Sequence, residues 1–185
     1  MLTAVEYDER RFAEIVLYVA KRIEDDPRGG AIKLNKILYF ADFAHQRAFG
    51  RPITWLEYQR LPMGPAPRRL KPVRELLVAQ GDAVLRSEML SGYEQKRLVA
   101  LRDPDHTILN LSDDERRMLD DAIKMLWGRT GWEASELSHR PMAWQLISDF
   151  ETIPYEYANI IKPVLTPRFR ERLASIEQQY APPPD

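Results

Sequence analysis

Cysteine is missing from this chain altogether, which excludes disulfides and thiolate metal sites. Glycine is scarce, at 8 of 185 residues, and none of it is arranged as a Walker-type or dinucleotide-type phosphate cradle. No Gly-x-Ser-x-Gly turn is present to expose a nucleophilic serine. No apolar run approaches the roughly 20 residues that span a bilayer. Met1 to Arg11 is polar and charged, without the apolar core of a signal peptide. Net charge is low too: the formal value of -1 argues against coating nucleic acid indiscriminately, while leaving room for a local basic patch. The expectation is a reducing, cytoplasmic location without membrane association.

Chemistry-bearing clusters are equally thin. His45, His106 and His139 are too far apart for two of them to share a helical face at i, i+3 or i, i+4, so no metal site is expected. Ser138 and His139 are neighbours in sequence, which does not orient one toward the other. Asp120 and Asp121 point in different directions on a helix and make no ready acid/base pair. The reading is of a protein with no catalytic residues and no cofactor, which works by binding another macromolecule. An enzyme built around His139 would be ended by finding a fully buried ring with both nitrogens bonded to protein.

What the chain does have is helical patterning. Phe12, Ile15, Val16, Val19 and Ile23 form a stripe over 8–24, with Asp8 as N-cap and Pro27 as stop. Glu24, Asp25 and Asp26 follow as a solvated turn or a docking site for a basic group. After Gly29-Gly30, a second helix over 31–49 ends at Gly50 and is apolar on most sides, so it belongs at the centre of the fold. Prolines 52, 62, 65 and 67 break the next stretch. Helix resumes from about Pro67 to Gln80 and is interrupted at Pro72. Segments 83–90 and 93–101, joined by Ser91-Gly92, read as a hairpin. Ser112-Asp113-Asp114-Glu115 is a capping box opening a helix that stops near Gly128. Helices over 132–137 and 142–150 follow. A last amphipathic helix starts at Thr166-Pro167 and carries Phe169, Leu173 and Ile176. The predicted fold is mainly α (α+β): a compact multi-helix domain around a buried central helix with a small β-hairpin. It forms a single domain over 1–181 that includes a C-terminal helical extension, with a disordered tail at 182–185.

Charge is patterned once. From Tyr58 to Arg74 there is no acidic residue, while Arg60, Arg68, Arg69, Lys71 and Arg74 are all basic. This stretch is the candidate partner-binding surface. Three helices followed by a hairpin is also the element order of a winged helix, so a DNA-binding regulator that represses its own operon is the alternative reading. A solvated basic face or a contact for an acidic protein partner would give the same pattern.

Three blocks in this order resemble a known family. Lys33-Leu34-Asn35-Lys36-Ile37-Leu38-Tyr39-Phe40-Ala41-Asp42 is similar to the K-L-x-K-L-L-Y-x-A opening of the Panacea, or SocA-like antitoxin, domain. Tyr58 to Pro67, with Gly64 and Pro65, resembles its Y-G-P-V-x-P signature, departing from it at Met63 and Ala66. Ser138, His139 and Trp144 are similar to its S-H-x-x-x-x-W pattern. The resemblance covers about 12–147. It implies an antitoxin of a bacterial or phage toxin–antitoxin system that neutralises a cognate toxin by direct protein binding. One type in the family delivers its toxin to a protease, which the resemblance therefore adds as a partner.

Read as residues, these motifs are mostly scaffold. Gly64-Pro65 fixes a sharp turn and starts the next helix. Tyr39 and Trp144 are core aromatics, each with its polar edge satisfied. His139 is either a buried hydrogen-bonding group or a functional one. Lys33 and Lys36 lie unfavourably near a helix N-terminus, and pair with Asp25 and Asp26 or face an acidic partner.

Overall fold

The computed structural model describes residues 7–160 except Ser91, so the predicted C-terminal helix from Thr166 and the tail lie outside the described residues. Helix α1, Glu9–Arg22, begins where Asp8 accepts from the amides of Arg10 (2.9 Å) and Arg11 (3.2 Å), which satisfies two orphan donors of the first turn. Its apolar stripe is fully buried. Helix α2, Ala31–Phe49, ends at a left-handed Gly50 and packs against α1. The polar loop that follows carries β1 (Tyr58–Gln59) and β2 (Ala66–Pro67). Helix α3 (Leu70–Ala79) and a hairpin of β3 (Ala83–Leu90) and β4 (Tyr93–Ala100) come next. Then come the single turn α4 (His106–Leu109), α5 (Asp113–Leu126), α6 (Gly131–Ser138), α7 (Met142–Gln145), β5 (Thr152–Ile153) and a 3-10 turn over Tyr155–Asn159. The fold is mainly α with a little β, built around α2, which α5, α6 and the 3-10 turn cover.

Two antiparallel sheets are present among the described residues. β3 and β4 pair from Ala83↔Ala100 to Leu90↔Tyr93, and β1 lies between β2 and β5. The capping box at Ser112 forms as expected: its hydroxyl accepts from the Glu115 amide (3.2 Å) and the Glu115 carboxylate accepts from the Ser112 amide (2.9 Å). A second box, Thr130 with Glu133, opens α6. Its T-x-x-E spacing is that of the S-x-x-E in the first box.

Several expectations are corrected. Pro72 does not interrupt α3, because it is the third helical residue, where an amide has no intrahelical acceptor to lose. Gly64-Pro65 makes the turn but does not start the helix, which waits until Leu70 while β2 pairs with β1. The helix predicted over 142–150 ends at Gln145. There the Phe150 amide donates to Arg60 O (2.8 Å) and the Arg60 amide to Glu151 O (2.9 Å), so strand pairing takes the backbone groups a longer helix would need. The acidic turn after α1 is not wholly solvated either. Asp26 is fully buried and pairs with Lys33 Nζ at 2.5 Å. Arg97 of β4 donates to the carbonyls of Ile23, Glu24 and Asp26, so the basic groups that dock there are the chain's own.

The loop after α2 is organised by one buried carboxylate. Asp42 accepts from the amides of Ile53 (2.8 Å) and Thr54 (2.9 Å), from the Thr54 hydroxyl, and from Tyr58 (2.6 Å). Burial raises its pKa, and these donors oppose the rise. Two of its donors, Tyr58 and Tyr155, belong to a cluster in which the rings of Tyr39, Phe43, Tyr58 and Tyr155 pack on one another at centroid separations of 4.5–6.1 Å.

Candidate functional site

Residues from all three sequence blocks meet at one place. Lys36 projects from α2 and is 2% exposed. Its Nζ donates to Pro65 O at 2.8 Å, and among the described residues no carboxylate reaches it. Without a counterion, burial pulls its pKa down to about 7. The acceptor is presented by the turn at 61–64, closed by the Gly64 amide donating to Leu61 O (2.7 Å). Gly64 sits at φ 86, where a side chain is strained. A methyl there would overlap Ser138 Oγ and stand 2.8 Å from Lys36 Nζ and 3.2 Å from His139 Nε2. The third block is thus pressed against the bare backbone of the second.

Helix α6 holds that face from the other side. Ser135 Oγ donates to Met63 O (2.9 Å) and Ser138 Oγ to Ser135 O (2.7 Å). The adjacent Ser138 hydroxyl is therefore spent on the helix and not aimed at His139. The His139 ring stacks on Trp144, with centroids 4.1 Å apart and planes 19° apart. The Arg60 guanidinium lies 4.1 Å from the Trp144 ring and donates to Ile147 O (2.7 Å). His139 is 23% exposed, with Nδ1 3.6 Å from Glu136. Burial lowers its pKa; Glu136 opposes this, and the Lys36 and Arg60 charges add to it.

This core of motif side chains is not hydrogen-bonded throughout. Tyr39 OH, Trp144 Nε1, His139 Nε2 and Arg60 Nε are buried with no partner among the described residues. The satisfied polar edges expected for Tyr39 and Trp144 are therefore not formed, and neither are two bonds from the His139 ring. Leu34 is buried on α2, and Lys33 is bound to Asp26, not Asp25. Among the described residues no three His, Asp or Glu side chains converge as metal ligands, and no helix is long and apolar enough to cross a membrane.

The five basic residues of the 58–74 stretch do not gather into one uniform patch. Arg60 belongs to the Trp144 stack. Arg68 faces Glu57 (3.6 Å), and Lys71 faces Glu75 (3.9 Å). Arg69 lies over the Tyr7 ring at 5.2 Å. Arg74 is half-buried, and desolvation lowers its pKa. Sequence reasoning singled out Arg60 and Trp144 separately but could not have joined them, because they lie 84 positions apart.

The fold and this site define a mainly helical domain in which a buried lysine, a glycine-proline turn and a serine-histidine-tryptophan block lock together. The family model for the antitoxin SocA-like, Panacea domain matches residues 34–145, more than half of the chain. The chain belongs to that family, as the three blocks implied. No curated protein and no solved structure matches it.

Proposed function

We propose that this protein is an antitoxin that neutralises a cognate toxin by direct protein–protein binding, without catalysis, in the cytoplasm. Family membership over 34–145 is the observation that carries this reading. The motif site supports it: Gly64 abuts Ser138, Lys36 and His139 so closely that a single methyl has no room. The motif then serves as scaffold, and partner contacts fall on the surface around it. Stable complexes of this kind bury on the order of 1,600 Å² in total.

The test is co-expression with the adjacent open reading frame. Its product is expected to arrest growth alone, to be harmless with this chain, and to co-purify with it. Neither rescue nor a complex would remove the proposal.

A DNA-binding reading rests on the order α1, α2, α3 and hairpin. The carboxylates facing Arg68 and Lys71 weigh against it, because they would also face phosphates. It predicts a salt-sensitive shift of the upstream DNA, and no shift at low salt would end it.

A further inference from the structure

Trp55 adopts φ 57, the left-handed region that a bulky residue enters only when its surroundings force it. Those surroundings are visible. The Ile53 and Thr54 amides are fixed on buried Asp42, the Leu56 amide donates to Thr54 Oγ1 (3.3 Å), and Leu56 O accepts from Tyr155 OH (2.8 Å). The loop is pinned on both sides of the tryptophan, and the indole is left 36% exposed.

Trp55 stands between two clefts. One, of about 460 Å³, is lined by Arg11, Arg51 and Glu115 among others. The other, of about 420 Å³, is lined by Tyr7, Glu57, Arg68 and Arg69. Arg11 is committed to Glu115 (2.9 Å) and Arg68 to Glu57. Arg51 and Arg69 are exposed and have no carboxylate partner among the described residues. A tryptophan on a pinned stretch of backbone, with arginines on either side, is the composition of an interface hot spot.

We propose that Trp55 with Arg51 and Arg69 is the docking centre for an acidic segment of the toxin polypeptide: an apolar side chain against the indole, and carboxylates on the two arginines. Asp8, Glu57 and Glu115 interrupt the basic lining, but Glu115 and Glu57 are paired with Arg11 and Arg68 and Asp8 caps α1, so the two arginines without a carboxylate offer separate points for discrete carboxylates and no continuous basic track for a phosphodiester chain. The assignment rests on the toxin-binding reading above.

The test titrates the full-length chain and two variants against the purified toxic product of the adjacent reading frame. Trp55→Asn keeps a residue that tolerates the left-handed region, and Arg51→Glu/Arg69→Glu alters exposed side chains alone, so a folding defect in the first leaves the second to decide. The dissociation constant is expected to rise about tenfold or more for each, with rescue of growth lost and the melting temperature of the charge-reversal variant lowered by no more than a few degrees, the cost of the Arg69 contact with Tyr7. Both variants binding within about twofold of wild type, while wild type rescues, would overturn this surface and leave the antitoxin reading standing. A wild-type chain that neither binds nor rescues would overturn both. Loss of duplex-DNA binding in the variants with toxin binding intact would assign the surface to nucleic acid instead.

Discussion

Lys33 and Lys36 lie three residues apart on the same helix, and both are almost wholly inaccessible, at 1% and 2% exposure. Their surroundings solve the burial of an ammonium group in opposite ways. Lys33 reaches Asp26 at 2.5 Å, and Asp26 also accepts from the amides of Arg28 (2.9 Å) and Gly128 (3.3 Å). Lys36 reaches a carbonyl. Burial lowers the pKa of both lysines; for Lys33 the Asp26 counterion opposes the fall, whereas nothing opposes it for Lys36, which gives up its proton near neutral pH. One helix thus carries a structural ion pair and a titratable group side by side, and the two are distinguishable by experiment.

The largest effect is expected at the ion pair. Lys33→Met leaves Asp26 buried and unpaired, and should cost about 3–5 kcal/mol in urea denaturation. Adding Asp26→Asn to that variant should recover part of the loss, because the stranded charge goes. A cost no greater than that of Lys36→Met would erase the distinction between the two lysines.

Next comes the turn that supplies the Lys36 acceptor. Gly64→Ala adds a methyl at φ 86 into the contact with Ser138 and Lys36, and should destabilise by about 2–3 kcal/mol. Gly81 has a similar φ of 77 with open space around it, so Gly81→Ala carries the backbone strain alone and should cost about 1 kcal/mol. Equal losses at the two glycines would mean that the close approach contributes nothing.

How much of this was legible in the sequence follows from which signals are local. Helix α2 was readable to its ends because Gly30 and Gly50 bracket an apolar run. The Ser112 box was readable because capping is decided within four residues. The partnership of Asp26 with Lys33 was open to sequence reasoning, but that with Arg97 was not, since it spans 71 positions. Asp42 was visible as the end of a motif, but its five donors come from four different residues that folding alone assembles. Trp55 in the left-handed region has no sequence signature, since glycine or asparagine is what that backbone ordinarily selects. Long-range polar networks, not propensities, decided what the sequence left open.

The third effect separates the lysines by pH. Lys36 has its folded pKa depressed to about 7 from 10.5, so the unfolded chain binds more protons between those values and stability rises with pH across the window. The stability that accompanies the neutral amine is fully present above 10.5 and is lost as pH falls through about 7. At pH 7 Lys36→Met should lie within about 1 kcal/mol of wild type, because the lost bond to Pro65 O is offset by the absence of a buried ammonium. Between about pH 7 and pH 9 wild type should gain about 2 kcal/mol relative to Lys36→Met. Parallel stability curves would show that Lys36 keeps its proton and is held as Lys33 is.

The smallest effect reads the same proton from its neighbour. His139 has its pKa lowered first by burial, with Glu136 opposing and the positive charges of Lys36 and Arg60 adding to the fall. In an NMR titration of the ring protons, its midpoint should lie below the ordinary histidine value. Lys36→Met removes one of the two charges without touching the Trp144 stack, so the midpoint should move upward. Lys33→Met should leave it where it was, because neither Lys33 nor Asp26 is among the charges that act on His139. An unmoved midpoint in the Lys36 variant would mean that Lys36 is already neutral over the range in which His139 titrates, placing its pKa lower still. A shift in the Lys33 variant would instead show that the charge stranded on Asp26 reaches His139.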